Sequence, residues 1–326
     1  MATFTQNSDY FDNSAISDYK KCPRSFYFRH VRGWRIQGTS HALIFGLAWH
    51  SAMEYVWEHA KEERDTDLAH NAFMRFLATW EESGMNPDPG LDELEVLGAR
   101  TPMVGMEMLG NYLEQRTNTL RNCTLLANET PFAVPMPGLE DTYYVGRLDK
   151  AIAFNGGRLI IEHKTTSEYS IKHNFQPNYV ESWDVSPQIK GYQFAGVLQF
   201  GNLDAVWIDA ALVHKKVHDA FKFIPIAHHS VLLVGWLENT ANWIMSIKAD
   251  MKNLNQNNGK VEKGIFRKNE ESCYGRYGPC PFLDICRTTE DPSKLAEVPV
   301  GYIHEPWEPF DILQLDQLIN KEIPHA

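Results

Sequence analysis

The feature that most constrains the fold is a pair of strand-like runs on either side of Asn155-Gly156-Gly157. Residues 142–154, TYYVGRLDKAIAF, and residues 158–166, RLIIEHKTT, are rich in Val, Ile, Thr and aromatic side chains. These residue types favour β-strands. An Asn-Gly pair readily adopts the positive φ angles that a tight turn requires. The two runs therefore predict an antiparallel β-hairpin.

Helix patterns precede this hairpin, and alternating helix and strand patterns surround it. Apolar residues recur at helical spacing over residues 16–30, 42–60, 68–80, 104–120, 187–200 and 231–254. Further strand patterns cover residues 124–134, 205–215 and 220–228, and the Pro and Gly residues of 85–93 predict a loop. This order of elements predicts an α/β or α+β core sheet with helices packed around it.

The composition is that of a globular protein with an excess of acidic residues. The chain has 326 residues and a formal net charge of -11, which argues against a protein that coats nucleic acid non-specifically. No run is long and apolar enough for a membrane helix, and the first residues lack a signal-peptide pattern. We therefore expect a cytoplasmic protein that makes no contact with a membrane.

One local stretch, residues 20–35, combines basic and aromatic side chains. Such a mixture suits phosphates and exposed bases. An amphipathic helix with a solvated basic face would give the same pattern.

The hairpin carries the residues best suited to chemistry. If its strands pair, Asp149 and Glu162 converge at one edge of the sheet and Lys164 projects from the same face. Carboxylates, waters and a substrate phosphate satisfy Mg²⁺ or Mn²⁺. The main-chain carbonyl of His163 is a further candidate ligand. An isolated Glu-x-Lys is usually a solvated strand face, so the prediction depends on the combination with Asp149.

These motifs resemble the RecB-like branch of the PD-(D/E)XK nucleases. Gly146-Arg147-Leu148-Asp149 and Glu162-His163-Lys164 match its core, although the family more often has an apolar or aromatic residue at position 163. Upstream, GLAWHSAME is similar to a helix motif whose histidine, here His50, is a metal ligand in the four-cysteine members. Glu129 opens a strand at the place the family pattern expects.

The resemblance continues after the hairpin. Gln188 and Tyr192 match the Q-x-x-x-Y signature of the helix that borders the catalytic cleft in this family, and their spacing places them on one helix face. The resemblance implies that they support catalysis and face the substrate. Taken alone, His50, Gln188 and Tyr192 are typical of ordinary helix positions.

Four of the five cysteines extend the resemblance. CRISPR-associated exonucleases and AddB-type subunits of this branch bind a [4Fe-4S] cluster through one cysteine before the core and three after it. The resemblance assigns this role to Cys22, Cys273, Cys280 and Cys286, which supply the four thiolates that a cluster requires. The spacing between Cys273 and Cys280 departs from the family pattern, so structural Zn²⁺ is the alternative. Cys123 is predicted to be a buried thiol without a partner.

The resemblance implies an architecture. The expected fold is α/β, a PD-(D/E)XK core with a mixed central sheet flanked by helices. We expect a single nuclease domain over residues 1–326, with a helical insertion or cap at 51–122 and the core at 123–257. Residues 1–35 and 265–290 would form an iron-sulfur region that joins the terminal segments.

The resemblance also implies a function. The prediction is a Mg²⁺- or Mn²⁺-dependent DNA nuclease, an exonuclease or an end- or flap-processing enzyme, acting in recombination, repair, phage replication or CRISPR adaptation. Its substrate would be DNA that is single-stranded or has free ends. One alternative is a nuclease-fold binding or assembly subunit that acts with a helicase, integrase or recombination partner. Another is a metal-dependent hydrolase of a different substrate.

Overall fold

A computed structural model describes residues 8–38, 40–261, 264–275 and 278–309. Parts of two predicted regions therefore lie outside the described residues. These parts are residues 1–7 and 276–277 of the cysteine region, and residues 39, 262–263 and 310–326 of the predicted single domain.

The described chain contains runs of helices and runs of strands. The helices are α1 (Asn13–Lys21), α2 (Pro23–Phe26), α3 (His41–His59), α4 (Asp65–Glu82), α5 (Leu91–Leu97), α6 (Pro102–Asn122), α7 (Pro177–Ser182), α8 (Pro187–Phe200), α9 (Ser230–Gln256) and α10 (Leu283–Thr288). The strands are β1 (Asp9–Phe11), β2 (Trp34–Ile36), β3 (Thr124–Pro135), β4 (Thr142–Phe154), β5 (Gly157–Thr166), β6 (Tyr169–Ser170), β7 (Asn174–Phe175), β8 (Ala205–Leu212), β9 (Phe221–Ile226), β10 (Tyr274–Gly275), β11 (Gly278–Pro279) and β12 (Tyr302–His304).

The main sheet is mixed, with strand order β1-β4-β5-β8-β9 and β3 also paired to β4. Strands β4 and β5 are antiparallel, whereas β5 and β8 are parallel. A parallel pair needs a crossover connection, and α8 lies in the connection between these two strands. The prediction of an α/β fold with a mixed central sheet and flanking helices is confirmed.

The predicted hairpin is present, and its turn has the expected chemistry. Phe154 of β4 pairs with Gly157 of β5. Between them, Asn155 has φ 50° and Gly156 has φ 82°. Two consecutive positive φ angles are typical of a type I′ turn, whose twist matches that of the two strands.

The chain divides into two compact units. One comprises the described parts of residues 1–38, 131–146 and 234–323, and we call it the cysteine unit. The other comprises residues 39–130 and 147–233, again where described, and we call it the carboxylate unit. The predicted boundaries at 51–122 and 123–257 do not follow this division, and the single nuclease domain stays a prediction.

In the carboxylate unit, alternate residues of β5 face different layers. Ile161 belongs to a core cluster that includes Trp49 of α3, Phe76 of α4 and Tyr112 of α6. On the other side, Ile160 lies so close to α8 that a Cβ at Gly196 would be 2.5 Å from its Cδ1. Glu162 shares the parity of Ile160 and so projects towards α8. Helices α3, α4 and α6 therefore pack against the face of the sheet opposite Glu162. The helical cap at residues 51–122 stays a prediction, and this packing does not support it.

In the cysteine unit, the basic and aromatic stretch forms part of the interior. Phe28 and Trp34 are 0% and 1% exposed and stack on each other. The guanidinium of Arg24 donates to the carbonyl of Phe266 at 2.8 Å, and that of Arg32 donates to Leu295 at 2.7 Å. The interpretation of this stretch as a surface for phosphates and bases is therefore wrong for its aromatic residues and these two arginines.

Candidate active site

The two hairpin strands bring the predicted carboxylates and lysine together. Asp149 and Glu162 are 7% and 1% exposed. The main-chain N–H of His163 donates to Oδ2 of Asp149 at 2.8 Å. Nζ of Lys164 lies 2.5 Å from Oε1 of Glu162. The sequence prediction that these side chains share one site is matched by this geometry.

Helix α3 supplies His50 to the same site. Its Nδ1 lies 3.5 Å from Oδ2 of Asp149, and its Nε2 lies 2.8 Å from the main-chain oxygen of His163. A carbonyl can only accept, so in this arrangement Nε2 carries the proton and Nδ1 is the basic nitrogen. All the predicted ligands on α3, β4 and β5 therefore lie next to one another.

A third acidic side chain, Glu129 of β3, completes the group. Ligand atoms of His50, Glu129 and Asp149 all lie within 4.8 Å of one another. Arg147 approaches a Glu129 oxygen at 3.6 Å, and Lys150 approaches the other at 4.0 Å. Glu129 was predicted to match a family pattern, but no role at the site was predicted for it.

The backbone at Glu129 is unusual. Its φ is 46°, a left-handed value that is uncommon for residues other than glycine and that concentrates at functional sites. The available signal in the sequence was an acidic residue inside an otherwise strand-like run. The backbone angle itself cannot be read from the residue types.

Burial and the closeness of the carboxylates to one another shift the pKa values of this site. Burial and the nearby Asp149 carboxylate raise the pKa of Glu162 to about 8. The same two causes raise the pKa of Glu129 to about 7. Burial opposes ionisation of Asp149 too, but His50 and Lys150 hold its pKa below the usual value. Burial lowers the pKa of His50 to about 4, so its imidazole is neutral.

Helix α8 borders these carboxylates. The amide nitrogen of Gln188 donates to the hydroxyl of Tyr192 at 2.9 Å and approaches Oε1 of Glu162 at 3.4 Å. The two residues are one helical turn apart, as their spacing predicted. Their roles in catalysis or substrate contact stay predictions.

Comparison with known proteins identifies the family. Residues 13–287 match the profile of the PD-(D/E)XK nuclease superfamily. The chain belongs to this superfamily. No curated protein matches it.

Two solved structures are similar to this superfamily member. One is a "Putative exonuclease" from Eubacterium rectale, with 13% sequence identity, a TM-score of 0.48 and coverage of 94% of this chain and 93% of that chain. The other is the crystal structure of SSO0001, with 16% identity, a TM-score of 0.25 and coverage of 63% of this chain and 86% of that chain.

PD-(D/E)XK nucleases generally use divalent metals, and the residues of this site fit such an ion. Oε2 of Glu162 is buried and has no hydrogen-bond partner among the described residues. Oxygen ligands dominate the group, as Mg²⁺ and Mn²⁺ prefer.

The four predicted cluster cysteines meet in the cysteine unit. One cavity of about 140 Å³ is lined by Cys22, Cys273, Cys280 and Cys286. The main-chain N–H of Cys280 donates to the carbonyl of Cys273 at 2.7 Å, which closes the loop between them. Burial raises the pKa of Cys286 to about 11. Cys123 belongs to the carboxylate unit and is 3% exposed, as predicted for a buried thiol.

The spacing of these thiols bears on the choice of cofactor. Within the described chain, no three cysteine sulfurs lie within 4.8 Å of one another. A tetrahedral zinc site with Zn–S bonds of about 2.3 Å holds its sulfurs about 3.8 Å apart. A [4Fe-4S] cluster separates its thiolates further, because each binds a different iron. Both cofactors take four thiolates, so the lining of this cavity is compatible with either one.

Among the described helices, none is both long enough and apolar enough to cross a bilayer.

Proposed function

We propose that this protein is a metal-dependent DNA nuclease that hydrolyses phosphodiester bonds at the site around Asp149 and Glu162. The observation that carries the proposal is the convergence of three acidic side chains, two of them with strongly raised pKa values, beside a lysine. Such a group is unfavourable without a cation and becomes favourable once a divalent ion neutralises it.

Each side chain has a proposed task. Asp149, Glu162, Glu129 and His50 hold the cation, together with the carbonyl of His163. When bound, Mg²⁺ or Mn²⁺ lowers the pKa of a coordinated water and offsets charge on the phosphate. The ammonium of Lys164, which is about one quarter exposed, orients that water or stabilises the negative charge that develops on the phosphate.

Helix α8 supplies the proposed support for the substrate. Gln188 contacts Glu162 and Tyr192 at once, so it can transmit the position of α8 to the carboxylate. We propose that the substrate is DNA that is single-stranded or has free ends. An exonuclease or an end- or flap-processing enzyme would act on it in recombination, repair, phage replication or CRISPR adaptation, in the cytoplasm.

We further propose that the cavity of the cysteine unit holds a [4Fe-4S] cluster. The support is the convergence of four thiols from distant parts of the sequence on one cavity. The cluster would join α1 and α2 to the segment around α10 and would take no part in hydrolysis. Structural Zn²⁺ on the same cysteines is the alternative.

The nuclease proposal is tested by cleavage of end-labelled linear DNA and of circular DNA, each single- and double-stranded, with Mg²⁺ or Mn²⁺. Protein purified anaerobically is compared with Glu162→Ala. The matched control is Glu95→Ala, which removes an exposed carboxylate of α5. We expect cleavage by the wild type and the control, and none by Glu162→Ala. Sparing of circles would identify an exonuclease.

A different outcome would change the assignment. If folded, metal-loaded wild type cuts no DNA, the free-standing nuclease is wrong. A nuclease-fold assembly subunit that needs a helicase, integrase or recombination partner would then explain the geometry of the site better. Hydrolysis of another substrate that DNA does not inhibit would indicate the third class, a different metal-dependent hydrolase.

A further inference from the structure

A buried charged group lies on the face of the sheet opposite Glu162, around Asp209 of β8. Asp209 is 1% exposed. It accepts hydrogen bonds from the hydroxyl of Tyr112 at 2.6 Å and from the guanidinium of Arg116 at 2.9 Å, and both residues belong to α6. Trp57 of α3 in turn donates to the hydroxyl of Tyr112 at 2.9 Å. A carboxylate at this depth is tolerated only with such partners.

Asp209 also reaches the strand that carries the site. It pairs with His163 in the parallel register of β5 and β8. Its Oδ2 lies 3.3 Å from Nδ1 of the wholly buried His163 ring, without the alignment of a full hydrogen bond. Nε2 of the same ring has no hydrogen-bond partner among the described residues. Asp209 lies 3.3 Å from the His163 imidazole, and the buried Lys150 ammonium is the other charged group that acts strongly on this ring.

The main chain of His163 belongs to the site on the other face. Its N–H donates to Asp149, and its carbonyl oxygen accepts from His50. A rotation of either peptide group would move a contact to one of these two proposed ligands. The side chain of His163 faces Asp209 while its backbone faces the carboxylates, so one residue connects both faces of the sheet.

We propose that Asp209 is a positioning residue for the metal site, acting through the imidazole of His163. By holding this ring, Asp209 fixes the two peptide groups that meet Asp149 and His50. Arg116 and Tyr112 keep Asp209 ionised and oriented, so the position of α6 contributes to the geometry of the ligands. This inference rests on the proposed function, because it assumes that a divalent cation binds there.

Two substitutions at His163 separate positioning from packing. His163→Phe keeps a ring of similar size but removes the nitrogen that faces Asp209. His163→Asn keeps an N–H near the position of Nδ1 but leaves space unfilled. Mn²⁺ binding is measured by electron paramagnetic resonance without DNA, and melting temperature is measured on the same samples.

The two His163 variants are expected to differ in opposite ways in melting temperature and in Mn²⁺ affinity. His163→Phe should melt at or above the wild-type temperature, since it removes a buried nitrogen without a partner, yet bind Mn²⁺ about tenfold more weakly, a typical effect of losing an outer contact to a metal site. His163→Asn should melt lower because of the cavity, yet bind Mn²⁺ within about threefold of wild type.

The matched control is Phe76→Leu, a substitution in the core between α3 and α4, where the ring of Phe76 packs against the rings of Phe45, Phe73 and Trp80. It should lower the melting temperature and leave Mn²⁺ affinity unchanged. Wild-type affinity in His163→Phe, or equal weakening in both His163 variants, would overturn the proposal. Since binding is measured without substrate, a wild type that binds Mn²⁺ but cuts no DNA would overturn the proposed function and not this inference.

Discussion

Nζ of Lys164 lies 2.5 Å from Oε1 of Glu162, while Oε2 of the same carboxyl has no hydrogen-bond partner among the described residues. The two oxygens of Glu162 therefore have different surroundings. One is occupied by the lysine and the other is available to a cation. This division separates the proposed role of Lys164 from that of the ligands.

Replacement of Lys164 should abolish turnover without removing the metal. We expect Lys164→Met to reduce kcat at saturating Mn²⁺ by about a hundredfold or more, as for loss of an electrostatic group at the reacting phosphate. Mn²⁺ affinity, measured by titration calorimetry, should not fall, because a cationic neighbour is removed. A Lys164→Met protein that retains wild-type kcat would contradict the assigned role.

Glu129 should contribute to metal binding although no role was predicted for it. Glu129→Gln keeps the shape of the side chain and removes its charge. We expect Mn²⁺ affinity to fall about tenfold, the scale typical of a weakened metal site. The exposed Glu95→Gln serves as control. Unchanged Mn²⁺ affinity in Glu129→Gln would remove Glu129 from the ligand set.

The metal-free protein should lose stability as the pH rises. The pKa of Glu162 is about 8 in the folded chain, above the ordinary value of 4.5. A carboxyl with a raised pKa stabilises the fold below its unfolded pKa, and this contribution is lost as the pH rises through the folded value. The melting temperature in EDTA should therefore fall between pH 5 and pH 8.

Two further measurements test this explanation. Glu162→Gln cannot ionise, so its melting temperature should depend less on pH over the same range. Saturating Mg²⁺ should restore wild-type stability at pH 8, because the ion favours the charged carboxylate. Equal pH dependence in wild type and Glu162→Gln would show that another group is responsible.

Loss of one thiol from the cavity of the cysteine unit should release the proposed cofactor. Cys286→Ser, purified anaerobically, should contain much less iron and sulfide than wild type and should be digested more readily by protease around α10. Cys123→Ser is the matched control and should keep its iron. Zinc in place of iron in anaerobic wild type would establish the alternative cofactor.

The parts of the fold that could be predicted are those determined by local sequence. The β4–β5 hairpin follows from its residue types and its Asn-Gly turn, and α8 begins and ends at Pro187 and Phe200 as its pattern indicated. Helix α5 was missed because Pro and Gly in residues 85–93 hid its first residues. It begins at Leu91, directly after Gly90.

The parts that could not be predicted depend on contacts between distant residues. Strand β1 has three residues and is defined by its parallel pairing with β4. Asp209 and Arg116 are ordinary strand and helix residues in sequence and become a buried ion pair only when α6 packs on β8. The need for glycine at position 146 also depends on such a contact, because a Cβ at Gly146 would lie 2.5 Å from the ring of Phe132.

The cavity of the cysteine unit combines Cys22 with three cysteines near the other end of the sequence. During translation the ribosome therefore completes every proposed ligand of the carboxylate site, from His50 to His163, while Cys22 still has none of its three companions. A nascent chain would carry the Cys22 thiol without these companions through most of its synthesis. Insertion of the proposed cluster is then a late step of biogenesis. It requires that the segment with Cys273, Cys280 and Cys286 has already been synthesised.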